Sequence, residues 1–169
     1  MRVTLDSIGP AGRDVAVSAS DAWALEAVSA ALDSQPSALA GQIQIAPPRQ
    51  RLIDVSVDVT TTATVHCDRC GEPATLDLRV ESDLLYRPMG ADGDDRELAS
   101  EELDVGWYVD RSLDLAAVLA EAVALTIPPR KTCKDAEACE VRTDAMLAKQ
   151  RPTGDVGHPG FAALRTISE

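Results

Sequence analysis

The longest regular pattern in the chain is an alternation. Ile53, Val55, Val57, Val59, Thr61, Ala63, Val65 and Cys67 share one parity, with mostly polar residues between them. Successive strand side chains point to opposite faces, so this run predicts one long strand with a buried face. A bend or bulge is expected near Thr60 to Thr62. The tetrad "CDRC" at 67–70 then turns the chain, because Gly71 and Pro73 supply backbone geometry that a strand interior refuses. "ATLDLRVESDLLY" returns as a second strand, alternating at Leu76, Leu78 and Val80. The CxxC is therefore expected at the tip of a long β-hairpin.

The other elements are shorter. "RVTL" (Arg2 to Leu5) and "DVAVSA" (Asp14 to Ala19) read as strands. Ser20 offers a side-chain oxygen to cap a helix over 20–32, which places Leu25, Val28 and Leu32 at helical spacing near Trp23 and ends before Pro36. "GQIQIAPP" reads as a short strand with Ile43 and Ile45 on one face, and "LDVGWYV" as another. "DRSLDLAAVLAEAVALTIPP" is the clearest helix, over 113–125. Asp110 and Ser112 are available to cap it, and Leu115, Val118, Leu119, Ala122 and Leu125 form its apolar stripe. Pro128 and Pro129 stop it.

The polar, glycine-containing stretch at about 89–102 reads as an acidic loop. Beyond Arg130 the chain reads as irregular, with a tail at 151–169 in which Phe161, Leu164 and Ile167 can dock as a short helix. The expected fold class is α+β, with one domain over 1–150 and a C-terminal tail. Its antiparallel or mixed sheet is built on the long hairpin and covered by the two main helices.

Composition narrows this. At 169 residues and 45% apolar, the chain is large enough for a real core, but only 3% is aromatic, so Val, Leu, Ile and Ala must fill it. The net charge of −12 argues against a bare electrostatic grip on nucleic acid. Trp23, Tyr86, Trp107, Tyr108 and Phe161 are few for stacking on single strands. The charge is uneven. Glu81 to Asp114 holds eleven acids and three arginines, whereas Arg130 to Arg151 holds six bases and four acids. This polarity fits either a face that meets a partner or a solubilising loop. No apolar run approaches the roughly 20 residues a spanning helix needs, and "MRVTLDSIGPAGRD" has no apolar signal region. A soluble cytoplasmic protein with no membrane partner is expected. Its cysteines are then thiols or metal ligands in preference to disulfides.

Those four cysteines carry the candidate chemistry. Zinc takes about four soft ligands in a tetrahedron, and structural sites favour thiolates arriving as close pairs. Cys67 and Cys70 are one pair; Cys133 and Cys139, with five residues between them, are a second, and 62 residues separate the pairs. His66 and His158 are spare candidates. A thioredoxin-like redox pair would open a helix, whose N-terminus lowers the thiol pKa; this pair leads into a strand. The third reading is a pair of small buried cysteines that shape the hairpin. There is no G-x-S-x-G, P-loop or G-x-G-x-x-G motif, and no small-molecule substrate is evident.

"CDRCGEPATLDLRVESDLLYRP" resembles the C-x-R-C-x-x-P segment of the YceD family, the large ribosomal RNA subunit accumulation proteins. "LDLAAVLAEAVALTIPP" followed by "ACEVRTDAM" resembles that family's aspartate-leucine helix, leucine-proline stop and later cysteine segment, and "HPGFAALRTI" fits its ending. The resemblance spans roughly Val55 to Ile167. It implies a bacterial cytoplasmic protein tied to large-subunit assembly, with no known chemistry. It matches Cys67, Cys70 and Cys139 and provides no firm counterpart for Cys133.

The expected function is a non-enzymatic factor that promotes accumulation or processing of large-subunit (23S) ribosomal RNA. Its partner would be a large-subunit precursor, through RNA, a basic ribosomal protein, or both. The hairpin tip and the 130–151 segment would meet near Cys67 and Cys70. Arg69, Arg130, Lys131, Lys134 and Arg142 are the candidate contacts there. The alternative is a small thiol- or metal-dependent enzyme using Cys67 and Cys70.

Overall fold

The computed structural model describes residues 1–89 and 105–150. The expected acidic loop beyond Met89, the tail and His158 lie outside the described residues. In chain order the elements are β1 (Arg2–Thr4), a 3-10 turn (Leu5–Ser7), β2 (Arg13–Ser18), α1 (Ala22–Leu32), β3 (Pro36–Ile45), β4 (Ile53–His66) and β5 (Pro73–Pro88). After the gap come β6 (Val105–Tyr108), β7 (Ser112–Asp114), α2 (Leu115–Thr126) and α3 (Ala136–Gln150).

The alternating run is β4. Its odd residues from Ile53 to Val65 are buried, and its even ones face outward or lie half-buried. It pairs antiparallel with β5 without a break in register, from Ile53 opposite Tyr86 to His66 opposite Pro73. The five-stranded sheet runs β2-β3-β4-β5-β6; β6 joins parallel to β5, so the sheet is mixed. A second small sheet pairs β1 with β7. Helices α1 and α2 pack on each other, α1 against β2 and β3 and α2 against β5. Between these layers lies an aliphatic core that includes Ile43, Ile45, Ile53, Val57, Val59, Leu115 and Leu119. The fold is α+β, as the pattern requires. Among the described residues no helix is long and apolar enough to cross a membrane.

Several local expectations are corrected. Ser20 does not cap α1. Asp21 holds the N-cap position, and its Oδ2 turns back to accept from the Ser18 N–H (2.9 Å) and hydroxyl (2.7 Å). The strand expected over "GQIQI" begins earlier, at Pro36, because the neighbouring β4 is long enough to pair the whole segment. The irregularity expected at Thr60 to Thr62 lies instead on β3, between Pro36 and Ala38, opposite Ala63 and Thr62. Ser112 and Leu113 are not helical but belong to β7, held by β1, so α2 starts later and its N-cap is Asp114, which accepts from the Ala116 N–H at 3.0 Å. Leu125 is 70% exposed; Val123 takes the buried place on the stripe. The segment expected to be irregular after Pro129 becomes α3 from Ala136.

Two glycines mark close approaches. A Cβ on Gly41 would lie 2.2 Å from the Asp58 carbonyl oxygen and 2.6 Å from Val59 Cα, so β3 passes β4 where only glycine fits. A Cβ on Gly106 would lie 2.3 Å from Tyr86 Cε1, so the Tyr86 ring fills the space beside β6. The Tyr86 hydroxyl donates to Glu121 Oε2 at 2.8 Å, which ties β5 to α2. Burial, and then the Glu121 carboxylate, push the Tyr86 pKa well up.

Gly41→Ala is expected to destabilise the protein by about 1–3 kcal/mol, since a backbone neighbour cannot step aside like a side chain. Gln42→Ala, on the exposed face, is expected to stay within about 0.5 kcal/mol of wild type. Chemical denaturation midpoints of the two variants check this.

Candidate metal centre

The β4–β5 connection is short, and its shape follows from Gly71. With φ at +75°, Gly71 adopts a left-handed conformation that a side chain would strain. Its N–H donates to the Cys67 carbonyl at 2.8 Å, and the Cys67 N–H donates to the Glu72 carbonyl at 2.9 Å. Cys67 and Cys70 are thereby presented on the same side of the tip.

The second pair arrives from the far side of α2. Pro128 and Pro129 end that helix, and the chain crosses to the tip, where Asp68 receives it. The Asp68 N–H donates to the Lys131 carbonyl at 2.7 Å, and the Lys131 N–H donates to Asp68 Oδ2 at 2.6 Å. Asp135 then starts α3 by accepting from the Ala138 N–H at 2.9 Å. Cys139 sits in the first turn of α3.

The result is a cluster of four sulfurs, all within 4.8 Å of one another. Cys67 Sγ lies 3.7 Å from Cys139 Sγ, and Cys70 Sγ lies 3.6 Å from Cys133 Sγ. None is in a disulfide. Cys67, Cys70 and Cys139 are buried and Cys133 is half-buried, with Ala74 packed beside them as a small core separate from the main one.

The surroundings treat the four thiols unequally. The Cys70 N–H, aided by those of Arg69 and Cys133, points at Cys67 and outweighs burial, lowering its pKa to about 6. The Glu72 N–H, and then Arg142, lower Cys70 against its burial. Burial dominates at the other pair, raising Cys133 and lifting Cys139 to about 12, where the neighbouring sulfurs add to the effect. Arg142 donates to Cys133 Sγ at 3.3 Å, and its contacts with Cys70 and Cys133 hold its proton more firmly than usual. Backbone amides and one guanidinium thus stabilise negative sulfur here, as outer-shell donors do around thiolate ligands. The cluster has the donor set and closeness to take one metal ion.

His66 stands apart. His66 Nδ1 lies 3.1 Å from the Gly71 carbonyl oxygen, outside the cluster and exposed. Of the basic residues expected as partner contacts, three have structural neighbours. Arg69 pairs with Glu140 at 3.4 Å, Lys134 pairs with Asp77, and Arg142 contacts the sulfurs. Lys131 is held through its backbone by Asp68, and Arg130 is exposed. Sequence reasoning did not reach Asp68, the amide donors or the sulfur contact of Arg142. Only the glycine after the CxxC, and the aspartate preceding "AEACEV", pointed toward them.

The chain matches, over residues 55–168, the family model described as large ribosomal RNA subunit accumulation protein YceD. It belongs to the YceD family. The match starts in β4, so β1, β2, α1 and β3 precede it, while the whole cysteine cluster falls inside it. The family's description connects its members with large-subunit ribosomal RNA and names no catalysed reaction. No solved structure matches this chain.

In metal-free protein, thiolate absorbance is expected to show an early step with a midpoint of about 6. Replacing both Cys67 and Cys70 with serine should remove it, since both thiols are lowered, whereas Cys139→Ser should leave it in place. Spectrophotometric titration of the three proteins checks the assignment.

Proposed function

We propose that this chain is a non-enzymatic factor in large ribosomal subunit biogenesis that promotes accumulation or processing of large-subunit ribosomal RNA. The observation that carries this reading is the family match across most of the chain. Depleting the protein in its native host should lower large-subunit RNA relative to small-subunit RNA and reduce the large-subunit peak on a gradient. An unchanged ratio, in slow growth and in the cold, would overturn the reading.

The cysteine cluster is, on this reading, a structural zinc site. Zinc–sulfur bonds of about 2.3 Å make a tetrahedron with edges of about 3.8 Å. The sulfur contacts of 3.6 and 3.7 Å match that scale. Four protein ligands close such a site, leaving no open position for substrate. The amides at Cys67 and Cys70 and the Arg142 guanidinium would offset the surplus negative charge of four thiolates. Zinc would supply cross-linking here, and the chain's own contribution is to orient four sulfurs and neutralise them.

The partner is a large-subunit precursor met at the corner formed by the hairpin tip and the 130–134 segment. With Arg69, Lys134 and Arg142 engaged locally, Arg130 and Lys131 are the stronger contact candidates. A protein of net charge −12 favours contact with a basic ribosomal protein, alone or beside RNA, over a grip on bare RNA. Arg130→Glu with Lys131→Glu should weaken co-sedimentation with precursors, and unchanged co-sedimentation would remove this corner from the interface.

One observation favours the rival reading of thiol chemistry, namely the lowered pKa of Cys67. A reactive thiolate must also be reached, and Cys67 is only 2% exposed. Alkylation at neutral pH is therefore expected to be slow in metal-loaded protein and to quicken with chelator. Fast, selective labelling of Cys67 in the loaded protein would instead support an enzyme.

A further inference from the structure

Helix α3 is bound to the body in an unusual way. α1 buries Ala24, Ala27, Val28 and Leu32, and α2 buries Leu115, Val118, Leu119, Ala122 and Val123. Over fifteen residues α3 buries Cys139 alone. Its Val141 and Leu147 are 66% and 48% exposed. An isolated helix of this length is marginal in water, since the nucleation cost is barely recovered. Something other than apolar packing must hold it.

The polar ties do not suffice. The Arg69–Glu140 pair joins side chains that are 46% and 63% exposed, and exposed ion pairs contribute little. The Lys134–Asp77 pair lies before the helix begins and is also exposed. The Asp135 cap and the Thr143 hydroxyl bond to the Cys139 carbonyl are internal to α3 and its entry, so they shape the helix without attaching it. Among the described residues the remaining ties run through the cluster: Cys139 Sγ is seated against Cys67 Sγ, and Arg142 donates to Cys133 Sγ and contacts Cys70.

We propose that the cysteine cluster is a metal-dependent latch for α3. With metal bound, Cys139 is fastened to Cys67 and Cys70 on the hairpin tip, and α3 docks. Without metal, the tie reduces to contacts between thiols, and α3 detaches and frays from its first turn. The strap from Pro129 to Asp135, which carries Arg130 and Lys131, then loses its far anchor and keeps only the Asp68 clasp and the exposed Lys134–Asp77 pair among the described residues. The corner assigned above to the ribosomal precursor would be assembled only in the metal-loaded protein. The latch rests on the structural-zinc reading, because metal binding energy in such sites is also folding energy.

Hydrogen exchange on the full chain tests it, with bound zinc counted in the same samples by elemental analysis. Zinc-reconstituted protein should hold one ion, and chelation should speed exchange of the amides from Glu140 to Ala148 by about tenfold or more. The amides of Val55, Val57 and Val59 in β4 should stay protected and so report that the body remains folded. Cys139→Ala should show the fast α3 pattern even with zinc present, whereas Arg69→Ala should keep α3 protected. One bound zinc with α3 exchanging equally fast before and after its removal overturns the latch and leaves the zinc site standing. Failure to bind zinc after reconstitution overturns both. A protected α3 in zinc-treated Cys139→Ala overturns the latch directly.

Discussion

The unbroken antiparallel ladder between β4 and β5 is the constraint on which the rest of the molecule depends. Fourteen residues of β4 pair in one register with β5. A slip of one residue would move every odd side chain of β4 from the core to solvent. That register puts Val55, Val57 and Val59 under the helices, and at the same time brings the CxxC to the turn. It also sets the other strands. β3 and β2 extend the sheet beyond β4, with Gly41 permitting the close pass, and β6 adds beside β5 where the Tyr86 ring lies over Gly106.

The molecule has two cores of different chemistry. The larger is aliphatic, shared by the sheet and helices α1 and α2. Its stability is distributed over many residues, each worth about 1.5–3 kcal/mol when fully buried. The smaller consists of four sulfurs and Ala74. Too little apolar surface is buried there to hold a strap and a polar helix, and the elements that meet there are remote in sequence. Amide hydrogens aimed at Cys67 and Cys70, with Arg142 at Cys133, make the corner receptive to negative sulfur. A metal-binding corner therefore suits the position: it joins elements that packing alone leaves loosely joined.

This arrangement bears on how an acidic protein can serve ribosomal RNA. The outward face of the long hairpin carries Asp54, Asp58, Asp77, Glu81 and Asp83, with Arg79 paired to Glu81 and Arg87 half-buried, so this face is acidic on balance. Basic residues gather instead around the sulfur corner, and three of them are already committed to Glu140, Asp77 and sulfur.

What the sequence determined by itself is what depends on local periodicity. The alternation from Ile53 to Val65 specified β4 and its buried face, Gly71 specified the turn while Pro73 opens β5, and the apolar spacing of Leu115, Val118, Leu119 and Ala122 specified α2. The extent of β3 was hidden because its N-terminal half becomes a strand only against the partner β4 supplies. β7 was hidden because three residues carry no period; pairing with β1 makes them a strand and delays the start of α2. α3 was missed because it lacks the apolar stripe by which helices are read. The four cysteines were legible as two candidate pairs, but their convergence was not. Sixty-two residues separate Cys70 from Cys133, and only the hairpin register, the end of α2 and the Asp68–Lys131 clasp bring their sulfurs to 3.6 Å. The amides that set the charge on those sulfurs belong to the backbone, which no residue type encodes, so their direction was decided by the tertiary structure alone.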